Sequence, residues 1–213
     1  MPHSSAHAPL RRLVVATANP GKLREFRSLL AGLPFYVSSL AELGLRSPEE
    51  SGASFLENAE LKARRAAGFC GFAAVADDSG LEVDALGGAP GLFSARYAGL
   101  GADDAANNSK LLRALRGIPM ERRRARYRCA LVYVTAEEDP APLTAHGVWE
   151  GFIVDVARGT GGFGYDAHFW LPELKMCAAE LDPADKNKLS HRGKAMRALR
   201  DELELRGSNA VRA

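Results

Sequence analysis

Apolar residues fall along the 213-residue chain in two patterns: short unbroken runs and a helical repeat. Leu13 to Thr17 is a run without polar alternation, which predicts a strand buried on both faces. The turn signal Asn19-Pro20-Gly21 follows, and then Leu23, Phe26, Leu29 and Leu30 recur at helical spacing. A second helix is predicted from about Ser54, with Phe55, Ala59, Lys62, Ala63 and Ala66 on neighbouring turns and Gly68 as its stop. Phe72 to Ala76 reads as another buried strand, ending at Asp77-Asp78-Ser79-Gly80. After a loop holding Gly87-Gly88-Ala89-Pro90-Gly91, a helix is predicted over 103–116. Arg126 to Thr135 alternates and is β-branched, a strand whose hairpin partner is read over 148–156, with Glu137 to Pro140 in the connection. A last helix runs from about Pro183 into the Glu202 region. Strands and helices alternate early and a hairpin sits in the middle, which implies a mixed α/β sheet. Residues 11–205 read as a single domain, between a disordered tail at 1–10 and a C-terminal tail at 206–213.

Composition narrows the function classes. Hydrophobic residues at 46% and charged residues at 25% match an ordinary globular protein. No apolar run reaches the roughly 20 residues that cross a bilayer, so no membrane partner is expected. The first ten residues lack the apolar stretch of a secretory signal. Lys+Arg at 28 against Asp+Glu at 26 argues against a dedicated nucleic-acid binder but permits a local cationic pocket. Cys70, Cys129 and Cys177 are odd in number and far apart, fitting neither a disulfide framework nor a zinc cluster. A reducing, cytoplasmic location follows as the expectation.

Two glycine signatures fail on inspection. Asn19-Pro20-Gly21-Lys22 ends like a phosphate-binding P-loop, but Ala16 stands where the first glycine is needed and Leu23 replaces the metal-binding hydroxyl. Gly159 to Gly164 satisfies G-x-G-x-x-G, yet it continues into an aromatic stretch ending at Pro172, where no helix opens. A different phosphate loop remains. Thr17, Asn19 and Lys22 follow a buried strand at a helix start, bringing a hydroxyl, an amide, an ammonium and backbone N–H groups to one point. A turn with an Asn cap and a surface lysine explains the same residues.

Asp77-Asp78-Ser79-Gly80 is the more specific signal, because adjacent carboxylates at a buried strand repel and are costly to desolvate. Strand alternation sends the two side chains in different directions, one to hold a metal or lysine, the other to polarise water. Glu49 and Glu50 add acidic groups that read equally as an exposed loop. Lys186, Ser190, His191 and Arg192 cluster within two helical turns, either as a solvated face or as donors for a base or phosphates. The run Arg122 to Arg128 reads as surface.

These blocks, taken in order, identify a resemblance. Thr17 to Lys22 with Glu25, Ser54-Phe55-x-Glu57-Asn58-Ala59 with Lys62-Ala63, Ala76 to Leu81, Gly87 to Gly91 with Ser94-Ala95-Arg96-Tyr97, Gly161 to Asp166, and Ser190 to Ala195 together resemble the inosine/xanthosine triphosphate pyrophosphatase family. The match runs from about Leu13 to Leu199. Two departures are the N-terminal extension and Ala18, where glycine is common.

The resemblance implies an elongated mixed sheet, two lobes around a central nucleotide cleft, and a homodimer. It implies hydrolysis of ITP, dITP and XTP to the monophosphate and pyrophosphate with Mg²⁺. By position, Thr17, Ala18, Asn19, Pro20, Gly21 and Lys22 would hold the phosphates. Asp78 would be the catalytic carboxylate, and would bind metal with Glu50 or Glu49. Ser79, Phe163, Gly164, Tyr165, Asp166, Lys186, His191 and Arg192 would line the nucleotide site. Lys62 is expected to reach the phosphate region, and Phe163 or Trp149 to stack on the purine unless each is core. A pyrophosphatase for modified pyrimidines and a non-catalytic nucleotide sensor are the competing readings. The paired aspartates speak against the sensor, which gains nothing from carboxylates beside a polyanion.

Overall fold

A computed structural model describes residues 10–46, 48 and 50–210, with side chains up to 205. Residues 1–9 and 211–213 of the expected tails lie outside the described residues, as does Glu49. The elements in chain order are β1 (Arg11–Val15), α1 (Pro20–Leu29), β2 (Phe35–Ser39), α2 (Phe55–Cys70), β3 (Ala73–Val83), α3 (Asp104–Ala114), β4 (Arg124–Val134), β5 (Leu143–Ile153), β6 (Phe169–Leu171), β7 (Met176–Cys177), α4 (Pro183–Leu189) and α5 (His191–Ala210). The strands form one sheet in the order β2-β1-β3-β4-β5-β6-β7. β1 lies parallel to β2 and β3, and every later pairing is antiparallel, so the sheet is mixed as expected.

Side-chain alternation on the long central strands builds three cores. On one face Leu13, Val15, Val75 and Leu131 meet Phe26 of α1 and Met196 and Leu199 of α5. On the other, the alanine stripe Ala59, Ala63 and Ala66 of α2 packs on Val14, Ala74, Ala76 and Val132. At the far end Leu81, Val83, Tyr127, Trp149, Ile153 and Phe169 enclose Leu111 of α3 and Leu115 just past its end. β3 runs 11 residues, about 36 Å, from the first two cores into the third. Residues 77–80 lie between the cores, and there the cleft between the two lobes opens.

Local chemistry sets the element ends. Ser54 Oγ accepts from Glu57 N at 3.2 Å, capping α2. Asn19 caps α1 with Pro20 at its first position.

The structure corrects five sequence expectations. Gly68 does not stop α2, which runs on to Cys70 and ends on Gly71 in the left-handed conformation. β3 does not end before the aspartates but continues to Val83, because β4 pairs with it from Ala74↔Val134 to Val83↔Ala125. The partner of β4 is 143–153 rather than 148–156: the register Tyr133↔Leu143 decides it over the β-branched residues at 153–156. The last helix is two, broken at Ser190, whose backbone is extended and whose Oγ accepts from Gly193 N. A side chain at Gly193 would run into the Asn187 carbonyl, so the two helices meet at a corner that only glycine permits. Finally, β2, β6 and β7 had no counterpart in the sequence pattern. They are short and sit at or next to the sheet edges.

Candidate active site

Of the plainer reading of the first loop, the Asn cap holds and the surface lysine does not. Thr17 Oγ1 accepts from Asn19 N at 3.1 Å, and Asn19 Oδ1 accepts from Lys22 N at 3.0 Å, so the loop is braced by its own side chains. Asn19 is therefore a helix cap. Yet the Lys22 ammonium does not float in solvent: it lies 2.9 Å from Asp77 Oδ2. Asn19 and Lys22 line the cleft, whereas Thr17 and Gly21 are buried and Ala18 and Pro20 are exposed outside the lining.

Strand alternation sends the two aspartates to opposite faces of β3. Asp77 follows Val75 to the α1 and α5 face, where its Oδ2 accepts from Arg192 Nη2 at 2.9 Å and from Ser79 Oγ at 2.9 Å, beside Lys22. Burial opposes its charge, but Lys22, Arg192 and Lys62 outweigh that and hold its carboxyl far below the usual aspartate range. Its Oδ1 is buried without a hydrogen-bond partner. Asp78 follows Ala76 to the α2 face, where Lys62 Nζ donates to Oδ1 at 3.0 Å and Asn58 Nδ2 to Oδ2 at 3.1 Å. Burial pushes the Asp78 carboxyl up; Lys62 resists this and the neighbouring Glu50 carboxylate adds to it. Glu50 receives Lys62 at 2.7 Å and Arg96 at 3.1 Å. Burial opposes the Glu50 charge too, and these cations hold its carboxyl below the usual value. Lys62 reaches this region as the sequence predicts.

The other half of the cleft is built from the loop before β6 and the α4–α5 corner. Asp166 Oδ2 accepts from Phe163 N at 2.9 Å and from Lys186 Nζ at 2.7 Å. Lys186 also donates to Glu25 at 2.9 Å, and Arg192 pairs with the same glutamate. Glu25 thus ties α1 to both cations, with its carboxyl held low by them against the pull of burial. His191 lies flat on Tyr127, with ring centroids 4.7 Å apart and 9° between planes. Burial, Arg192 and Lys186 keep its imidazole neutral, well below the usual histidine range, and its Nδ1 is buried without a partner. Asp104 accepts from Gly164 N at 2.6 Å and Tyr165 donates to Ser94 O at 2.7 Å, so the far lobe anchors the loop.

The cleft encloses about 310 Å³. Asn19, Lys22, Glu50, Asp78, Ser79, Phe163, Gly164, Tyr165, Asp166, Lys186, His191 and Arg192 all line it. Trp149 does not; it is a core residue 6.5 Å from Tyr127. The basic run is largely surface, with Arg126 and Arg128 paired to Glu82 across the sheet, but Arg123 is buried against Asp155. Tyr127 and Asp104 also line the cleft and carried no sequence signal, since a strand tyrosine and a helix-start aspartate are ordinary in those places. Arg96 and Glu25 stood only inside quoted blocks.

The donor set bears on a metal. Glu50 and Asp78 offer hard oxygen ligands drawn together on one ammonium; burial raises the Asp78 pKa, and the Glu50 carboxylate adds to the rise. Among the described residues no group of three His, Cys, Asp or Glu side chains converges. Magnesium is commonly held by one or two carboxylates with waters and substrate phosphates, so the pair fits it.

Comparison with known proteins agrees with this geometry. Residues 13–202 match the Ham1 family. The dITP/XTP pyrophosphatase of Thioalkalivibrio sulfidiphilus is 52% identical over 193 residues, covering 91% of this chain and 98% of that protein. That of Pectobacterium atrosepticum is 53% identical over 194 residues, again covering 91% and 98%. Among solved structures, a HAM1 protein from Coxiella burnetii superposes with a TM-score of 0.83 at 45% identity, over 91% of this chain and 98% of that one. The Staphylococcus aureus Ham1 protein gives 0.78 at 37% identity, with the same coverage. With 91% of its length matched in sequence and in fold, the chain belongs to the Ham1 family.

Proposed function

We infer that the protein hydrolyses deaminated purine nucleoside triphosphates, ITP, dITP and XTP, to the monophosphate and pyrophosphate, with Mg²⁺. The observation that carries this is a buried carboxylate of raised pKa, Asp78, in a cleft whose wall includes the Lys22 loop. A site that only bound a polyphosphate would gain nothing from it. The names of the relatives point to the same reaction.

Asp78 takes the proton from a water attacking the α-phosphorus, a role suited to a carboxylate whose basicity burial has increased. Asn58 and Lys62 fix its two oxygens. The Lys22 ammonium stabilises the departing pyrophosphate. Glu50 and Asp78 would hold magnesium, which when bound neutralises phosphate charge and lowers the pKa of coordinated water. Lys186 donates to the 6-carbonyl of hypoxanthine or xanthine with the N–H that Asp166 and Glu25 leave over; the 6-amino group of adenine would set another donor against it. Phe163, over which the Lys186 ammonium lies at 4.7 Å, is placed to stack on the purine. We further propose a homodimer working in the cytoplasm, the latter supported by three cysteines that are all free thiols.

Pyrophosphate release from ITP, dITP, XTP, GTP, ATP, CTP and UTP, with and without Mg²⁺, tests the reading. The expected result is magnesium-dependent release from ITP, dITP and XTP far above the rest. Equal rates on all seven, or release of inorganic phosphate alone, contradict it.

A further inference from the structure

The block Ser94-Ala95-Arg96-Tyr97 is left without a role by the reading above. Arg96 closes the 3₁₀ segment Gly91–Arg96, which lies directly on β3. A Cβ on Gly80 would strike the Gly91 carbonyl and come within 2.7 Å of Ser94 Oγ, so no larger residue lets the segment approach. Ser94 and Ala95 thereby become cleft wall, and Arg96 Nη1 reaches Glu50 Oε2 at 3.1 Å.

The charges of the site form two alternating strings. One runs Asp166–Lys186–Glu25–Arg192–Asp77–Lys22, the other Asp78–Lys62–Glu50–Arg96. In each, carboxylates and cations are equal in number, so the strings are balanced before any ligand arrives. The inner cations Lys186, Arg192 and Lys62 each bridge two carboxylates, and none of their side chains is more than 7% exposed. The strings end on Lys22 and Arg96, each ion-paired to a single carboxylate and 16% and 30% exposed. If Lys22 turns away, Asp77 keeps Arg192; if Arg96 turns away, Glu50 keeps Lys62. Were Lys62 to turn, Asp78 would lose its ion pair while buried, which is far costlier. The two chain ends are thus the cations that an incoming polyanion can recruit.

Lys22 already stands on the phosphate loop. We propose that Arg96 is its counterpart, a further substrate-binding residue whose guanidinium leaves Glu50 for the β- and γ-phosphates of the triphosphate. Glu50, the partner of Arg96, also feels the charge of Lys22 on the phosphate loop, which sets the guanidinium on the side of the leaving pyrophosphate. A guanidinium fork matches two phosphate oxygens at once. The turn also frees a carboxylate oxygen of Glu50, one of the groups that would hold magnesium. This assignment rests on the pyrophosphatase reading.

Calorimetric titration of pyrophosphate and, separately, of IMP measures it without turnover, at fixed magnesium. In Arg96→Gln the pyrophosphate dissociation constant should rise about 10- to 100-fold while that of IMP stays within about twofold, with Arg96→Lys recovering part of the loss. Unchanged pyrophosphate affinity in Arg96→Gln overturns the assignment, as does an equal loss for both ligands, which would mark general damage to the cleft. If the wild-type protein binds neither ligand, the pyrophosphatase reading fails and takes this one with it. If it binds both and Arg96→Gln does so equally well, the Arg96 role alone falls.

Discussion

Asp77 and Asp78 are the same residue on the same strand, both buried, yet the two faces of β3 make them opposites. Toward α1 and α5, Asp77 sits between Lys22 and Arg192 and cannot be protonated at any ordinary pH. Toward α2, Asp78 shares one lysine with a second carboxylate and is pushed up. Desolvation acts on both; the number of cations per carboxylate decides the outcome. One group is a strut that joins two helices to the sheet; the other is the carboxylate to which the proposed function gives the part of base.

The largest way to break this contrast is at the base. Asp78→Asn keeps the side-chain shape and one of the two acceptors, the other becoming an N–H₂ that faces Asn58 or Lys62. With the fold checked by circular dichroism, kcat for pyrophosphate release from ITP should fall about 10²- to 10⁴-fold. A variant with wild-type kcat removes Asp78 from the chemistry. Asp77→Asn should act on stability instead, costing about 3 kcal/mol in denaturant unfolding because buried Arg192 keeps only Glu25 of its two carboxylates and Lys22 loses its ion pair. The sign follows from its depressed folded pKa. The stabilisation is full above the ordinary aspartate value and is lost as pH falls toward the folded one, so the gap to wild type should narrow in acid. Equal stability of the two proteins at neutral pH would deny the strut.

A smaller effect is expected at the base-recognition end. Lys186→Ala should cut the ratio of kcat/KM for ITP over ATP by about 10- to 100-fold, and an unchanged ratio would refute its role. The pH profile sharpens the comparison further. Because the Asp78 pKa is raised, the acid limb of kcat/KM should lie above that of an ordinary aspartate. Since Lys62 restrains the shift, Lys62→Met should move the limb higher still. Smallest is Ser54→Ala, which removes the cap of the helix that carries Asn58 and Lys62. It should cost about 1 kcal/mol of stability and leave kcat unchanged.

Much of this was legible in the sequence, and the parts that were not have a common cause. Unbroken apolar runs mark β1 and the start of β3, and the helical stripe and cap of α2 fall where its pattern puts them. Strand alternation alone places Asp77 and Asp78 on different faces. What stayed hidden depends on partners far along the chain. Nothing local says that β3 continues through two acids, because the cations that permit it, Lys22, Lys62 and Arg192, come from three separate helices. Cross-strand register set β5. The break at Ser190 hides inside a good helical pattern and shows only in the close approach at Gly193. Tyr127 lines the cleft with its ring on His191 of α5, a partner that no local pattern announces.

The contrast between the two faces of β3 is open to direct measurement. Carbon-13 NMR of labelled aspartate side chains, titrated in the substrate-free protein and assigned with Asp77→Asn and Asp78→Asn, reads each carboxyl by itself. The account predicts that Asp77 stays ionised down to the acid limit of the fold while Asp78 titrates above the ordinary aspartate value. Two carboxyls that titrate together, or Asp77 titrating above Asp78, would contradict it.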